Sequence, residues 1–428
     1  MSETVKRSYP HGRAVEPLYT EGPETGAGYR KQPWWSMVQE HAVEKEFAAN
    51  DWALKRLSHG ASGLLFYLND THFLPRIVKD IQLEHIDLHL VVEGSGAEVM
   101  EALLHFAHDQ TISAAELTGT INIDPIEIAA RTGEWNEALM YDLGELSRLA
   151  PKGMRYMCAN ANFYGACGAS AEMQLGLAAA HLEFYLDTFG TVGLEQYWLA
   201  LTSGTYVFEE IAKYRAMRLL WARLLEEKEL PAVHLEIYAE TSTAHQSAYD
   251  VHTNLLRATS AAFGAVVGGA DALQIRPYNG ITTFADPEGE RLALNQHFVL
   301  AYESYLDRVE DPAAGAFYIE TLTDEFAKAA WEILGEIREQ GGLLVALEKG
   351  WVQDELATEK AKAMPEKVMG VNLYPNAKDA LPAGYVPKKN WSREDWQKRH
   401  KGKLIEPLIP VQWAADLESE RAESSPSK

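Results

Sequence analysis

Eight short β-rich runs alternate with longer stretches of helical period between about residues 36 and 345, and this alternation limits the folds open to the chain. The runs are GLLFYL (63–68), IDLHLVV (86–92), LTGTINI (117–123), MRYMCAN (154–160), QYWLALT (196–202), HLEIYAE (234–240), ADALQIRP (270–277) and, weakest, LDRVEDP (306–312). Strand–helix alternation of this length predicts a (β/α)8 barrel. A doubly wound open sheet is the competitor, disfavoured because no Gly-rich phosphate fingerprint follows the first run. The clearest helix is expected over Thr323 to Glu339. There Phe326, Ala330, Ile333, Leu334 and Ile337 share one face, Thr323 caps the start, and Gly341-Gly342 ends it.

The flanks differ in character. Residues 1–35 are rich in Pro, Gly, Tyr and Arg without a period. They read as an extended arm whose aromatics (Tyr9, Tyr19, Tyr29, Trp34, Trp35) favour lying on another surface over disorder. Residues 346–428 are Pro-rich, with a charged run and a short amphipathic segment, EPLIPVQWAADLESER. Such a tail cannot bury a core alone and is expected to pack on the barrel or on a partner. The domains are thus an arm (1–35), a barrel (36–345) and a C-terminal extension (346–428).

Composition narrows the function classes. The 428 residues carry 39 basic and 62 acidic side chains, a net charge of −23, which repels nucleic acid and anionic membranes. No apolar run approaches the ~20 residues of a membrane span, and MSETVKRSYPHGR lacks the apolar core of a secretory signal. Only two cysteines, Cys158 and Cys167, are present. A disulfide framework is unlooked for, inert buried thiols are the expectation, and a cytoplasmic location is the default. His72, His89 and His245 make no metal spacing, so no metal is expected. Gly268-Gly269 reads as a helix stop. At the strand ends, where barrel chemistry sits, Glu93 and Glu240 are the one acid/base pair to consider. A generic barrel offers as much.

Longer blocks say more. EEIAKYRAMRLLWARLL (209–225), SAYDVHTNLLRATSAAFGAVVGGADAL (247–273), ERLALNQHFVLAYESYLDRVEDPAAGAFYIETLTDEFAKAAWEI (290–333), LTGTINID (117–124) and CGASAEMQL (167–175) occur in one order. Together they resemble the adenosylcobalamin-dependent acyl-CoA mutases, methylmalonyl-CoA mutase in particular, over roughly residues 60 to 375. The resemblance implies a barrel threaded by an acyl-CoA, its mouth closed by a separate cobalamin domain. In that family the protein holds the thioester while the cofactor carries the radical chemistry.

Carried over position by position, the family's site is incomplete here. Its thioester-binding histidine, in GYHMQEAGA, falls at Phe163 of ANFYGACGA, which has no donor. The tyrosine before it becomes Asn162. The glutamine of TIQND becomes Asn122, while a threonine two positions earlier persists as Thr120. The carboxylate-binding arginine falls at Thr132 or, with a one-residue shift, at Arg131. NDTHFLPRI has no counterpart of the tyrosine in THRGYDSD. The histidine of RTHCQTSGW becomes Tyr238, and HTNSF becomes QIRPY, with Gln274 and Arg276. No D-x-H-x-x-G motif follows residue 345, and about 80 residues are too few for a doubly wound cobalamin domain.

The resemblance therefore implies a small (β) subunit of methylmalonyl-CoA mutase, itself without catalytic, cofactor-binding or metal residues. It would pair in a heterodimer with a large (α) subunit that carries adenosylcobalamin and interconverts (R)-methylmalonyl-CoA and succinyl-CoA in propionate metabolism. Thr120, Asn122, Arg131, Phe163, Tyr238, Gln274 and Arg276 would line what remains of the substrate channel. Phe163, Tyr164, Tyr238 and Tyr278 are placed to fill the barrel axis. Two alternatives stay open. One is the substrate barrel of a split mutase whose cobalamin domain is a separate chain. The other is an acyl-CoA-binding barrel without chemistry, for which Arg131, Arg155, Arg276 and Lys213 are candidates to meet the CoA phosphates.

Overall fold

In the computed structural model a closed parallel barrel forms the centre of the molecule. The structure describes residues 7–8, 14–15, 19–26, 29–30, 32–282, 286–363, 367–376, 378–382, 385–387 and 389–424; Tyr9 of the arm lies outside them.

The barrel strands, numbered here in chain order, are β1 (Ser36–Ala42), β2 (Gly63–Leu68), β3 (Asp87–Val92), β4 (Thr118–Asn122), β5 in two halves (Met154–Arg155 and Met157–Ala159), β6 (Tyr197–Ser203), β7 (Glu236–Thr241) and β8 (Ala272–Gln274). All pair in parallel, and β8 pairs with β1. The ring closes through β5. Its first half pairs with β4 and its second with β6, and the Tyr156 amide between them donates to the Gln196 carbonyl at 3.2 Å. A (β/α)8 barrel is therefore present, with seven of the eight expected strands in place.

The eighth was misassigned. LDRVEDP (306–312) forms turns and irregular backbone, because its two apolar residues are interrupted by four charges and Pro312 ends it. The missing strand is SMVQEHA (36–42). Its polar Gln39, Glu40 and His41 hide the alternation that a half-buried strand displays. The late helix also starts earlier than expected, running Phe317–Gln340. Thr323 is buried inside it and donates to the Ile319 carbonyl at 2.8 Å rather than capping it. Its apolar face is as read, with Phe326, Ala330, Leu334 and Ile337 all buried, and Gly341 closes it with φ +105°. The Gly268-Gly269 stop is likewise in place.

Two cores follow from the period of 2 along each strand. Outward-facing residues meet the helices in one continuous apolar shell. Inward-facing ones make a smaller core of Val38, Leu65, Cys158, Trp198, Ala200, Tyr238 and Ala272. Close approach in the sheet demands a glycine at position 119, where a Cβ, at φ +130°, would lie 1.9 Å from the Leu88 carbonyl oxygen. Both cysteines are free and buried, and burial pushes both thiols up. Among the described residues no helix is long and apolar enough to cross a membrane, and no group of three side chains is placed to hold a metal.

The flanks lie on this barrel. Along the arm, Tyr19 packs on Tyr318, Thr25 bonds Glu320, Arg30 donates to the Val266 carbonyl at 3.0 Å, and the Trp35 indole donates to His297 at 3.1 Å. Tyr29 and Trp34 remain half exposed. The tail runs along the rim at the carboxyl ends of the strands. Backbone amides of Ile405, Leu408, Val411 and Trp413 donate to the carbonyls of Gly133, Ala130, Ala166 and Ala244. The apolar side chains of these four are buried. A helix, Ala415–Ser424, follows where the amphipathic segment was expected.

The barrel mouth as candidate functional site

Strand β7 orders the barrel interior into three tiers, because Glu236, Tyr238 and Glu240 all point to the axis. The bottom tier is an ion pair between Arg155 and Glu236. The middle tier is packed. Trp198 and Tyr238 are 1% and 2% exposed, with ring centroids 4.9 Å apart. His89 stands 6.0 Å from the Trp198 ring and 3.2 Å from the Thr120 hydroxyl, while the Tyr238 hydroxyl donates to Gln274. Burial holds the His89 imidazole neutral, with its pKa lowered to about 4; Asp87 pulls it up and Arg155 pushes it further down. Among the described residues, three buried atoms here have no hydrogen-bond partner: His89 Nε2, Trp198 Nε1 and Gln274 Nε2. The axis is thus filled by ring volume rather than by matched polar groups.

The top tier borders a cavity of about 1060 Å³ that opens at the carboxyl ends of the strands. Trp198, Ala200 and Tyr238 form its floor. In its wall the Arg276 guanidinium lies between Glu40 and Glu240, 3.1 Å from the latter. Glu40 also accepts from the Tyr67 hydroxyl at 3.2 Å, and Glu240 from the Asn162 amide at 3.2 Å. Across the mouth Asn122 and Asn160 exchange side-chain hydrogen bonds of 2.9 and 3.1 Å.

Their positions are set by Asp124, which is fully buried. One carboxylate oxygen accepts from the amides of Ile126 (3.1 Å) and Glu127 (3.0 Å), from His181 Nε2 (2.9 Å) and from the Tyr185 hydroxyl (2.8 Å). The other accepts from the Asn160 amide at 2.7 Å. Burial alone would raise the Asp124 pKa; the His181 contact and the backbone donors outweigh it and hold it below the usual carboxylate value.

The residues named from sequence separate by height. Asn122, Arg131, Thr132, Asn162, Phe163, Tyr238 and Arg276 line the mouth cavity. Thr120 and Gln274 lie a tier lower, in the packed axis, and do not border it. Glu93 and Glu240 both border it, but Glu240 is held by Arg276 and Asn162. Of the four rings expected in the axis only Tyr238 fills it. Phe163 stands in the mouth wall, Tyr164 turns outward to His181 at 3.2 Å, and Tyr278 stacks on His252 at 5.2 Å. These two belong to segments beyond the strand ends, where the chain has already left the barrel lining.

The basic candidates are committed. Arg131 Nε pairs with Glu127 at 2.7 Å on the rim, and Arg155 serves the bottom tier. Lys213 borders a second cavity of about 390 Å³, where it pairs with Glu210 at 2.6 Å and donates to the Thr202 carbonyl at 2.6 Å. His245 borders that cavity too.

Sequence reasoning missed Trp198, the main plug, and Glu40, which holds Arg276. Trp198 sits two residues before Ala200 on the inward face of β6, so strict alternation along that run would have exposed it. Glu40 lies in the unrecognised strand.

The family model for methylmalonyl-CoA mutase matches residues 68–403. The chain is 32% identical over 363 residues to the methylmalonyl-CoA mutase small subunit of Streptomyces virginiae, covering 80% of this chain and 58% of that one. Against the small subunit of Porphyromonas gingivalis it is 28% identical over 367 residues, covering 80% and 59%. The 2-hydroxyisobutanoyl-CoA mutase large subunit of Aquincola tertiaricarbonis is 24% identical over 345 residues, covering 74% and 60%. The chain spans at most three fifths of the length of these relatives.

Proposed function

The chain belongs to the methylmalonyl-CoA mutase family, and from that premise we propose that it acts as a small, non-catalytic subunit. In this reading it pairs with and stabilises a large subunit that binds adenosylcobalamin and interconverts (R)-methylmalonyl-CoA and succinyl-CoA. The observation that carries it is the packed middle tier. A thioester threaded along the axis would have to displace Trp198 and Tyr238, which are almost wholly buried and in ring contact. Losing such packing costs several kcal/mol for a side chain of this size, on the order of 3–5.

Two further features support the reading. The position of the family's thioester donor carries Phe163, which has no proton to offer a carbonyl oxygen. Arg276, at the mouth, is held by two carboxylates and is not free to receive a third. The rim of this chain fits the cofactor poorly along the path of the tail. The tail is hydrogen-bonded along the rim from Gly133 to Ala244, so a broad planar macrocycle has no bare rim there to lie on. No step is therefore assigned to cobalamin on this chain.

One observation favours a second reading. The mouth cavity is large enough for a small acyl group, as an acyl-CoA-binding barrel without chemistry would require. It is weaker, because such a ligand would bring phosphates and a carboxylate to a wall whose cations are already paired.

Mutase turnover with (R)-methylmalonyl-CoA and adenosylcobalamin tests the proposal, on the chain alone and mixed with a large subunit from the same cell. The expected result is activity only in the mixture, with Phe163→Ala leaving its rate unchanged. Turnover by this chain with an isolated cobalamin-binding protein would overturn it.

A further inference from the structure

The mouth cavity is more than a leftover of a closed channel, because its chemistry is one-sided. Its two guanidinium groups are both committed: Arg276 to Glu40 and Glu240, and Arg131 to Glu127. One cation shared by two carboxylates leaves the deep wall with a net negative charge, and Glu44 and Glu93 add to it around the rim. Such a residual charge acts more strongly in a recessed, partly dehydrated wall than on an open surface. The Glu240 side chain keeps 15% of its surface accessible, so it can be reached from the cavity.

Beyond the contacts of this carboxylate with Arg276 and Asn162, part of the cavity is apolar and aromatic. Tyr67 and Phe163 stand in the wall, Leu65 and Val91 lie beside them, and the floor is the Trp198–Tyr238 pair. A carboxylate set in an aromatic recess favours an organic cation twice over. The charge is met by the carboxylate, and the polarised C–H groups of the cation sit well against ring faces. A carboxylate or phosphate ligand of the same size would meet the same wall with no unpaired cation to offset its desolvation.

We propose that the mouth of the barrel is a binding site for a small organic ammonium ion, with the ammonium head at Glu240 and the apolar stem over Leu65, Val91 and Tyr67. The site goes beyond the subunit reading, and it stands whether or not the chain turns over with a partner.

Calorimetric titration of the full chain at low ionic strength tests it, with phenethylammonium and the equal-sized 3-phenylpropionate as probes. The ammonium ion is expected to bind saturably and the carboxylate not at all. Glu240→Gln keeps the shape of the wall and one partner for Arg276. It is expected to weaken the ammonium ion by about fivefold, the loss of one partly exposed charge contact, with the fold retained by circular dichroism. Tighter or equal binding of the carboxylate, no binding of either probe, or unaltered ammonium binding by Glu240→Gln each overturns the assignment.

Discussion

Two buried polar assemblies meet near the barrel mouth, and they are built on opposite principles. Around Asp124 five donors converge on one carboxylate, and the imidazole that meets it is itself bonded to Tyr164. In the axis, one tier lower, Trp198, His89 and Gln274 each keep a buried nitrogen without a partner. The first assembly is a joint: it ties β4 to β5 through Asn160 and to the helix Ala171–Phe189 through His181 and Tyr185. The second is a filling. Ring bulk, not polar matching, fills the axis there, as the proposed non-catalytic role requires.

Truncating the centre of each assembly puts the contrast to its strongest test. Asp124→Ala strands five donors and removes a helix cap, and it is expected to cost about 4 kcal/mol. Trp198→Ala removes more volume, yet is expected to cost about 3 kcal/mol. The emptied space joins the mouth cavity, and water entering it can partner His89 and Gln274. Urea unfolding of the two variants gives both values. If Trp198→Ala proved the costlier, the distinction between joint and filling would fail.

Acid offers a second, smaller contrast. His89 is held well below its ordinary pKa of 6.5, at about 4, chiefly by burial. Between those values the unfolded chain binds a proton that the folded chain refuses. Stability therefore rises with pH across the window and is lost as pH falls through it. The loss expected from His89 is about 2 kcal/mol between pH 6.5 and 4.5. His245 and His297, also lowered by burial to about 4 and about 3, titrate in the same direction. The comparison is therefore made against His89→Gln, whose unfolding free energy should fall less steeply over this range by that amount. Equal slopes would show that the axis is already hydrated.

How much of this the sequence held depends on what each residue faces. Strands such as GLLFYL and DLHLVV were legible because both faces are buried, outward on helices and inward on the axial core. SMVQEHA was not, because its inward Glu40 serves the mouth and its polar end interrupts the alternation. The mouth residues Asn122, Phe163 and Arg276 could be named through matched positions in a family. Their pairing could not, because Glu40, Tyr67 and Glu240 come from three strands that only the closed ring brings around one guanidinium. Tyr238 was visible as an axial ring, whereas Trp198 required the inward register of β6. Asp124 was visible only as a strand-end carboxylate, since His181 and Tyr185 reach it from a helix about sixty residues on.

The smallest effect is expected at Arg131, where the family resemblance left a carboxylate receptor open. Its side chain is half exposed, and its guanidinium Nε bonds Glu127 one helical turn back at 2.7 Å. An exposed pair at this spacing contributes about 0.5 kcal/mol. Burial raises the Glu127 pKa, with Arg131 acting against that rise. Removing the arginine should thus make Glu127 easier to protonate and blunt even this small cost. Arg131→Ala is accordingly expected to shift unfolding by no more than about 0.5 kcal/mol, and, under the proposed function, to leave mutase turnover in a mixture with a large subunit unchanged. A tenfold or greater fall in that turnover, at unchanged stability and unchanged association with the large subunit, would make the rim arginine a ligand receptor. The contrast between a structural barrel and a working one would then have to be redrawn at the mouth.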